Sequence, residues 1–571
     1  MDKKFFLAIA LSMFVMIGYS YFFISAPPPP PEVADKPQKT QPSPQKAPST
    51  PARKPAQPDG QTTAEKKVRA RDILIETPLY SAVFTNRGAL LTDFRLKPFH
   101  VEKENINWGD LVPALRSVSS WFEKEQVDTE ERVNMASRAS PENPIFGIRF
   151  SGEESLSRLF GEENYSADRN TVHVDPEQGQ PEKLVMRYQQ ADGLLMIKTF
   201  TFYPDSYVVG FSLKVVNSTN TPKPLRVAAL FGEGPEAGVQ ITAMGSHQGP
   251  IWREDDSVST EDADDISDTL QVPKPQWLAV ANTYFITAVQ AVDSKISHGF
   301  YISREVKKED ATTWAAEFGM ELTQATLQPG ESIEGNFKLY LGPRRVADME
   351  KFQGNLESSI YMTMGILGRP MLSLMRWFYS FTGNFGVAII MLTIVVRLLL
   401  FPLTYKGMLN IKRMQKLQPK MAALKEKFKK NKEKLNKEMM GLYKKHKMNP
   451  LGGCLPILLQ IPIFFALYIA LSGAIELRHE PFIFWITDLS AKDGLLVTPL
   501  LMGASMVLQQ KLSPTAMDPT QAKIMMLMPI VFTFFMISFP SGLVVYWLTS
   551  NILSILQQVI INRIKVPEPA D

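Results

Sequence analysis

Residues 385–404 read FGVAIIMLTIVVRLLLFPLT, an otherwise uncharged run long enough to cross a bilayer, with Arg397 inside it. One charge near the centre of a spanning helix costs at least about 2.5–3.5 kcal/mol, so such a residue faces a bundle interior or a wet cavity and marks function. Counted at about 1.5 Å per residue from Phe385, Arg397 lies past the midpoint of its helix. Which end of that helix is cytoplasmic therefore decides what the guanidinium can meet.

At 571 residues the chain exceeds a single domain, and its hydropathy is uneven. Residues 70–345 have the make-up of a soluble domain, whereas the chain from Leu455 onward is mostly apolar. The net charge of +4 hides a contrast: residues 405–449 hold 15 Lys and Arg against Glu426, Glu433 and Glu438, a local +12, which leaves −8 on the remainder. That asymmetry marks membrane topology rather than a chain that is basic throughout, and no direct nucleic-acid substrate is expected. The single cysteine, Cys454, excludes an intrachain disulfide and a Cys-based zinc site and reads as a small packing residue. No catalytic residue, metal or cofactor is expected. GxxxxGK[ST] is absent, and His479-Glu480 is followed by Ile483 where HExxH needs its second histidine.

Residues 5–24 (FFLAIALSMFVMIGYSYFFI) form a 20-residue apolar run behind Lys3 and Lys4, which places the N-terminus in the cytoplasm by the positive-inside rule. A cleaved signal peptide is the rival reading. The run exceeds the usual apolar region of about 7–15 residues and Pro27 directly follows Ser25-Ala26, so residues 1–25 read as an uncleaved anchor. Residues 26–69 form a linker, with 12 prolines between positions 27 and 60, a composition unable to bury enough apolar surface to order itself. Short alternating runs follow from about Arg71, among them DILIETPLYSAVFTN and LMIKTFTFYPDSYVVGFSLKVVN, with turns at Asn86-Arg87-Gly88 and Gln328-Pro329-Gly330. They predict a large antiparallel β-sandwich over 70–345, outside the inner membrane. Its histidines, His100, His173, His247 and His298, show no ligand or triad spacing, and no chemistry is assigned to it.

Residues 346–381 read as an interfacial helical segment, with Leu356, Ile360, Met364 and Leu367 on one face. Pro370 is expected to start a new helix, whose Trp377, Phe378 and Tyr379 suit the headgroup region. Five crossings are expected within 382–571, near 382–404, 454–473, 495–512, 523–539 and 542–562. The basic stretch 405–449, the 511–523 turn with Lys511 and Lys523, and the tail with Arg563 and Lys565 all fall on the cytoplasmic side, in agreement with the first anchor. Arg397 is then about seven residues from the cytoplasmic end of its helix, in the inner leaflet. The run 524–539 gives 16 residues, about 24 Å against a hydrocarbon core near 30 Å, which implies local bilayer thinning or burial among neighbours. Met414, Leu417, Met421, Leu424 and Phe428, then Leu435, Met439, Leu442 and His446, keep heptad-like spacings. They predict an antiparallel helical hairpin within 405–449, its first helix kinked or shortened by Pro419.

The stretches NPLGGCLPILLQIPIFFALY (449–468), LQPKMAALKEKF (417–428), LTIVVRLLLFPLT (392–404) and FPSGLVVYWLTSN (539–551) closely resemble the YidC/Oxa/Alb insertase family. The likeness covers residues 346–571 in order, and an N-terminal anchor followed by a β-domain is similar to the Gram-negative form. It implies a membrane protein insertase with a five-helix core, whose hydrophilic groove opens to cytosol and lipid and is closed to the periplasm. It also implies that Arg397 is the groove arginine and Thr393, one turn away, its helix-mate. Ile461, Phe464, Tyr546 and Trp547 complete the candidate substrate-groove set. Where the family commonly has two tyrosines this chain has Tyr-Trp, which keeps an aromatic contact at 547 without the hydroxyl.

The residues themselves point the same way. A short bundle with one buried cation, Thr393 on the same face and prolines at 456, 462 and 529 can hold water within the inner leaflet. Of the 27 Met, 19 lie in 349–571, where flexible thioethers suit a surface that must accept many apolar helices. Each reading has a plainer rival: Arg397 snorkelling to lipid phosphate, the aromatics as ordinary packing, and the hairpin as a topology signal on anionic lipid. The hairpin's Lys425, Lys429, Lys432 and Lys434 are candidates for docking a ribosome or targeting receptor. The other function class is a solute transporter or channel with an extracytoplasmic carbohydrate-binding domain, but a transporter should show internal repeats with paired broken helices, and none is found. Expected partners are nascent membrane proteins, the phospholipid bilayer and the Sec translocon, in a bacterial inner membrane with both termini cytoplasmic. In the expected mechanism Arg397 draws an acidic or polar client segment into the groove and no bond is made or broken. The client's apolar helix slides along the Met and Phe surface of the third and fifth helices into lipid, driven by about 25 cal/mol per Å² of apolar area buried.

Overall fold

The structure is a computed structural model and describes residues 68–101, 131–190, 193–235, 249–292, 296–308, 311–429, 431–445, 455–512 and 519–564. The expected anchor at 1–25, the linker as far as residue 67, His247, His446, Cys454 and Lys565 lie outside the described residues, as do the side chains of Met364, Leu367, Lys425, Lys432, Pro456 and Lys523.

Alternating apolar and polar positions give each strand one core face. Leu194, Met196, Phe200 and Phe202 point inward from Leu194–Phe202, which pairs with Val208–Asn217 so that Phe202 faces Val209 and Leu194 faces Asn217. Two sheets result. One runs Thr269–Val272, Ile296–Lys308, Ala311–Leu322, Val227–Phe231, Ile145–Phe150, Leu90–His100, Tyr80–Thr85, Asp72–Glu76, Thr171–His173, with Arg132–Asn134 added on Leu90–His100. The other runs Ser257–Thr260, Gly249–Glu254, Pro275–Ala281, Phe285–Ala291, Ser332–Pro343, Val208–Asn217, Leu194–Phe202, Glu182–Gln189, Ser166–Ala167. The pairing is antiparallel as expected, with one departure: Asp72–Glu76 lies parallel to Thr171–His173, which the chain reaches after a long excursion through the first sheet. Phe84, Phe146, Phe200, Phe211, Phe231 and Phe337 interlock across the core, with centroids from 4.7 Å (Phe84 to Phe200) to 6.5 Å (Phe146 to Phe231) apart.

The alternation conceals a cation in this core. Lys198 is 1% exposed, and its Nζ donates to the carbonyls of Gly88 at 2.7 Å, Ala89 at 3.3 Å and Phe146 at 2.6 Å. All three acceptors have left-handed backbones, with φ of 66°, 50° and 67°. The ammonium satisfies carbonyls that those conformations turn inward and that would otherwise be buried unpaired.

Helix α1 (Glu154–Glu162) seals one edge of the sandwich with Phe160. Strand Ser332–Pro343 leads through the turns Val346–Met349 and Glu350–Phe352 into α2 (Ser358–Thr382). Pro370 was expected to open a new helix but lies inside α2. Packing on both sides overrides the lost backbone bond: Leu372, Met375 and Phe378 are buried beyond the proline, and Ser359 and Ile360 before it. Gly383, in a left-handed conformation, ends α2, and the Asn384 side chain accepts from Val387 N to cap α3 (Phe385–Lys416).

Helix α3 passes the expected end at 404 and runs on to Lys416, because a membrane boundary is no helix stop and Lys, Arg and Met are good helix formers. The chain breaks at Leu417, with Pro419 in the first turn of α4 (Gln418–Lys427), so the proline shortens the hairpin as expected and Met414 belongs to α3. Helix α5 (Lys432–Lys445) returns antiparallel, with Asn431 accepting from Lys434 N at its start. Leu424, Phe428, Leu435, Met439 and Leu442 are half-buried along the seam and Leu417 and Met421 are buried. Four further helices follow: α6 (Leu455–Gly473), α7 (Val497–Leu512), α8 (Pro519–Met536) and α9 (Ser541–Arg563). Among the described residues two helices are long and apolar enough to span a bilayer by length and composition, Phe385–Met414 and Ser541–Arg563, whereas α7, at 16 residues, is only about 24 Å long.

The Lys198 contacts generate a test. Burial lowers its pKa from 10.5 to about 7. Between those values the unfolded chain holds a proton that the folded chain has released, so stability rises with pH across that window and is flat below it. Unfolding of the full chain in detergent, compared with Lys198→Met, is expected to show the wild-type margin growing from pH 7 towards 10.5, by up to roughly 5 kcal/mol. A margin independent of pH means that the three carbonyls hold the proton in place.

Candidate functional site

Helices α3 and α9 carry polar residues on their buried sides and apolar ones outside. On α9 the buried positions include Tyr546, Ser550, Asn551, Ser554, Gln557 and Gln558, whereas Ile552, Leu556 and Ile560 are each more than half exposed. On α3, Leu398 and Leu399 are exposed and Thr393 and Thr404 buried. Helix α8 presents Met526, Ile530, Val531 and Phe534 outward. A bundle with its polar residues inside and its apolar residues outside is built for a hydrocarbon surround.

Within that bundle a polar cluster joins three helices. Arg397 of α3 donates through Nε to the Ser550 hydroxyl of α9 at 3.1 Å and through Nη2 to the same oxygen. Gln460 of α6 donates through Nε2 to the hydroxyl of Tyr546, one turn before Ser550 on α9. Towards the far ends of α3 and α9, Gln557 Nε2 donates to Thr404 Oγ1 at 2.9 Å, and Lys412 Nζ donates to the last carbonyls of α9, those of Ile561, Asn562 and Ile564, at 2.6–3.0 Å. Helix α7 joins through Ser505, whose hydroxyl accepts from Asn551 Nδ2 at 3.0 Å. Hydrogen-bonded polar groups thus line the α3/α9 seam for most of its length.

The expected residues divide among three surroundings. Arg397 and Tyr546 share the cluster. Thr393 is one turn from Arg397 but spends its hydroxyl proton on Ile389 O at 2.6 Å, inside its own helix. Trp547 turns away from Arg397, with its ring 5.0 Å from Phe464 and 4.7 Å from Phe532 beside buried Met502, Met536 and Val544. Ile461 is on the exposed face of α6. In the hairpin, Lys429 is exposed and Lys434 sits over the Phe428 ring at 5.5 Å. Ser550, Gln460, Thr404, Gln557 and Lys412 were not singled out from sequence, although Tyr546, Ser550, Ser554 and Gln557 repeat every three or four residues along one helix face.

At the end of the bundle nearest the sandwich, the loop between α6 and α7 closes over α9. Ser541 N donates to Ala491 O at 2.7 Å and Gly542 N to Leu489 O at 2.9 Å. Asp493 accepts from Leu495 N, Thr498 N and Trp485 Nε1. Arg478 Nη2 from the same loop reaches Val101 O of the sandwich at 2.6 Å, and Arg344 bridges Asn282 O and Ser359 O at 3.0 Å each.

Residues 377–568 match the family model described as 60Kd inner membrane protein, and residues 121–374 match the one described as YidC periplasmic domain. The membrane protein insertase YidC of Geotalea daltonii is 36% identical over 99% of both chains, and that of Geobacter sulfurreducens is 34% identical over 99% of this chain and 98% of its own. A crystal structure of an active YidC insertase with its first transmembrane domain resolved aligns over 87% of this chain and 94% of its own, at 18% identity and a TM-score of 0.36. The family models and the two relatives, 36% and 34% identical over 99% of this chain, show the family: the chain belongs to the YidC membrane protein insertases of the inner membrane.

Proposed function

We propose that this insertase draws nascent transmembrane segments from the cytosol into the inner membrane through the polar space around Arg397, without catalytic chemistry. The carrying observation is a guanidinium bonded to Ser550, inside helices whose outer faces are apolar. Arg397 attracts an acidic or polar client segment, and Tyr546 lies beside it. Ile461, Phe464 and Trp547, with the methionines of α7 and α8, offer apolar and aromatic contact to the client helix as it passes to lipid. Thr393 supports this site by shape, since its hydroxyl is already bonded. The basic hairpin, Lys511 and Arg563 belong on the cytoplasmic side by the positive-inside rule, which puts the sandwich in the periplasm and both termini in the cytosol. The Sec translocon is a partner in this scheme, and the hairpin docks a ribosome or targeting receptor.

Two experiments test the proposal. Arg397→Ala should impair insertion of clients with acidic translocated segments, and Arg397→Lys should keep part of the activity because the charge remains. Wild-type insertion of such clients by Arg397→Ala would remove the electrostatic groove. For the hairpin, charge and shape separate. Lys425, Lys429, Lys432 and Lys434 changed to Gln should weaken lipid anchoring gradually, at about 1 kcal/mol per residue. Leu424→Asp with Leu442→Asp should abolish co-sedimentation with ribosomes bearing a membrane-protein nascent chain, without altering topology. Unchanged co-sedimentation and insertion in the double variant would reduce the hairpin to a topology signal.

A further inference from the structure

We infer that Ser550 is a positioning residue for the groove: its hydroxyl holds the guanidinium of Arg397 by one side edge, leaving the end edge turned to a client carboxylate. The inference deepens the proposed function and rests on it.

The geometry is specific to a hydroxyl. A serine oxygen has two lone pairs and one proton. Both lone pairs are engaged by Arg397, through Nε and Nη2, which form the side edge of the guanidinium. Serine's acceptor side is therefore turned to arginine before any client arrives. Tyr546, one turn earlier on α9, accepts from Gln460 Nε2 beside this pair. The Ser550 side chain is confined by burial, the residue being 4% exposed.

A guanidinium carries five N–H groups. With the side edge occupied, Nη1 and the outer N–H of Nη2 remain, and these two parallel donors match the two oxygens of a carboxylate. None of the hydrogen-bond partners found for Arg397 among the described residues is acidic, so its orientation is set by a neutral group and its charge is left whole. An ammonium at 397 would keep the charge but present rotating donors with no edge to fix.

The test uses the purified full chain in phospholipid vesicles with two versions of one client, carrying either Asp or Asn in its translocated segment. Ser550→Ala should lower insertion of the Asp client by at least about threefold, the scale of one lost hydrogen bond, and that of the Asn client by clearly less. Ser550→Thr, which restores a hydroxyl, should recover the Asp client. Ser550→Asp should abolish the preference for the Asp client while Arg397 stays in place, because the new carboxylate occupies the cation. In an Arg397→Lys background, Ser550→Ala should have no further effect. Equal loss for both clients, or an undiminished effect in the lysine background, would show Ser550 to be a packing residue and overturn the inference. Wild-type behaviour of Ser550→Ala beside a defective Arg397→Ala would overturn it and leave the groove standing, whereas a fully active Arg397→Ala would remove the groove and this inference together.

Discussion

A helix with polar side chains on its buried face and isoleucine and leucine on its exposed one has the worst possible arrangement for water, and α9 is such a helix. Its arrangement becomes favourable only when lipid takes the exposed face and hydrogen bonds satisfy the buried one. The second condition organises the bundle. Tyr546, Ser550, Asn551 and Gln557 need partners within reach, and they find Gln460 on α6, Arg397 and Thr404 on α3, and Ser505 on α7. Together these bonds tie α3, α6 and α7 to α9, so satisfying one helix assembles its neighbours around it. In hydrocarbon the gain per bond is modest, about 0.6 kcal/mol on average, so it is the number of contacts along α9 that holds the bundle together.

The sandwich end of the bundle obeys the same requirement with different groups. The first N–H groups of a helix have no intrahelical acceptor, and at α9 the carbonyls of Leu489 and Ala491 supply it. Asp493 folds the same loop upon itself through two backbone N–H groups and an indole. Arginines then carry the order outward. Arg344 and Arg253 meet the first turn of α2 at Ser359 and Ser358, and Arg478 lies over Tyr284 and Phe285 of the sandwich at 5.6 and 5.3 Å. These contacts fasten this end of the bundle to the sandwich, while the α4/α5 hairpin carries the basic side chains.

Much of this was legible beforehand, for physical reasons that also explain the rest. Period-two alternation identified the sandwich because a strand must hide one face, and the hairpin followed from spacings of three and four. The same averaging failed wherever a single atom matters. Lys198 stands at an inward position among phenylalanines, and alternation has no means of foreseeing three carbonyls turned towards it by left-handed residues 52 and about 110 positions away. Pro370 carries the usual signal of a helix start, but tertiary packing on both of its sides outweighs that local preference. At the site, Arg397 was conspicuous as a charge among apolar residues, whereas Ser550 and Gln460 are small or neutral and vanish into a hydropathy average. Trp547 shows the limit of adjacency. Neighbouring residues on a helix point about 100° apart, so Tyr546 joins the cation and Trp547 joins Phe464 and Phe532.

The choice of partner for Arg397 has an electrostatic consequence. A resident carboxylate at 4 Å would attract the guanidinium by about 4 kcal/mol at an effective dielectric of 20, and an incoming acidic segment would have to displace it. Leaving the cation without any partner would cost the hydrogen-bonding capacity of its buried edge. A serine avoids both penalties: it satisfies two donors and contributes no charge of its own. In the proposed scheme the field of Arg397 is therefore available to whatever enters, and its direction is set by the Ser550 hydroxyl. An acidic client segment in that scheme meets the cation without first displacing a resident carboxylate, and what limits its stay is the burial of its apolar helix in lipid.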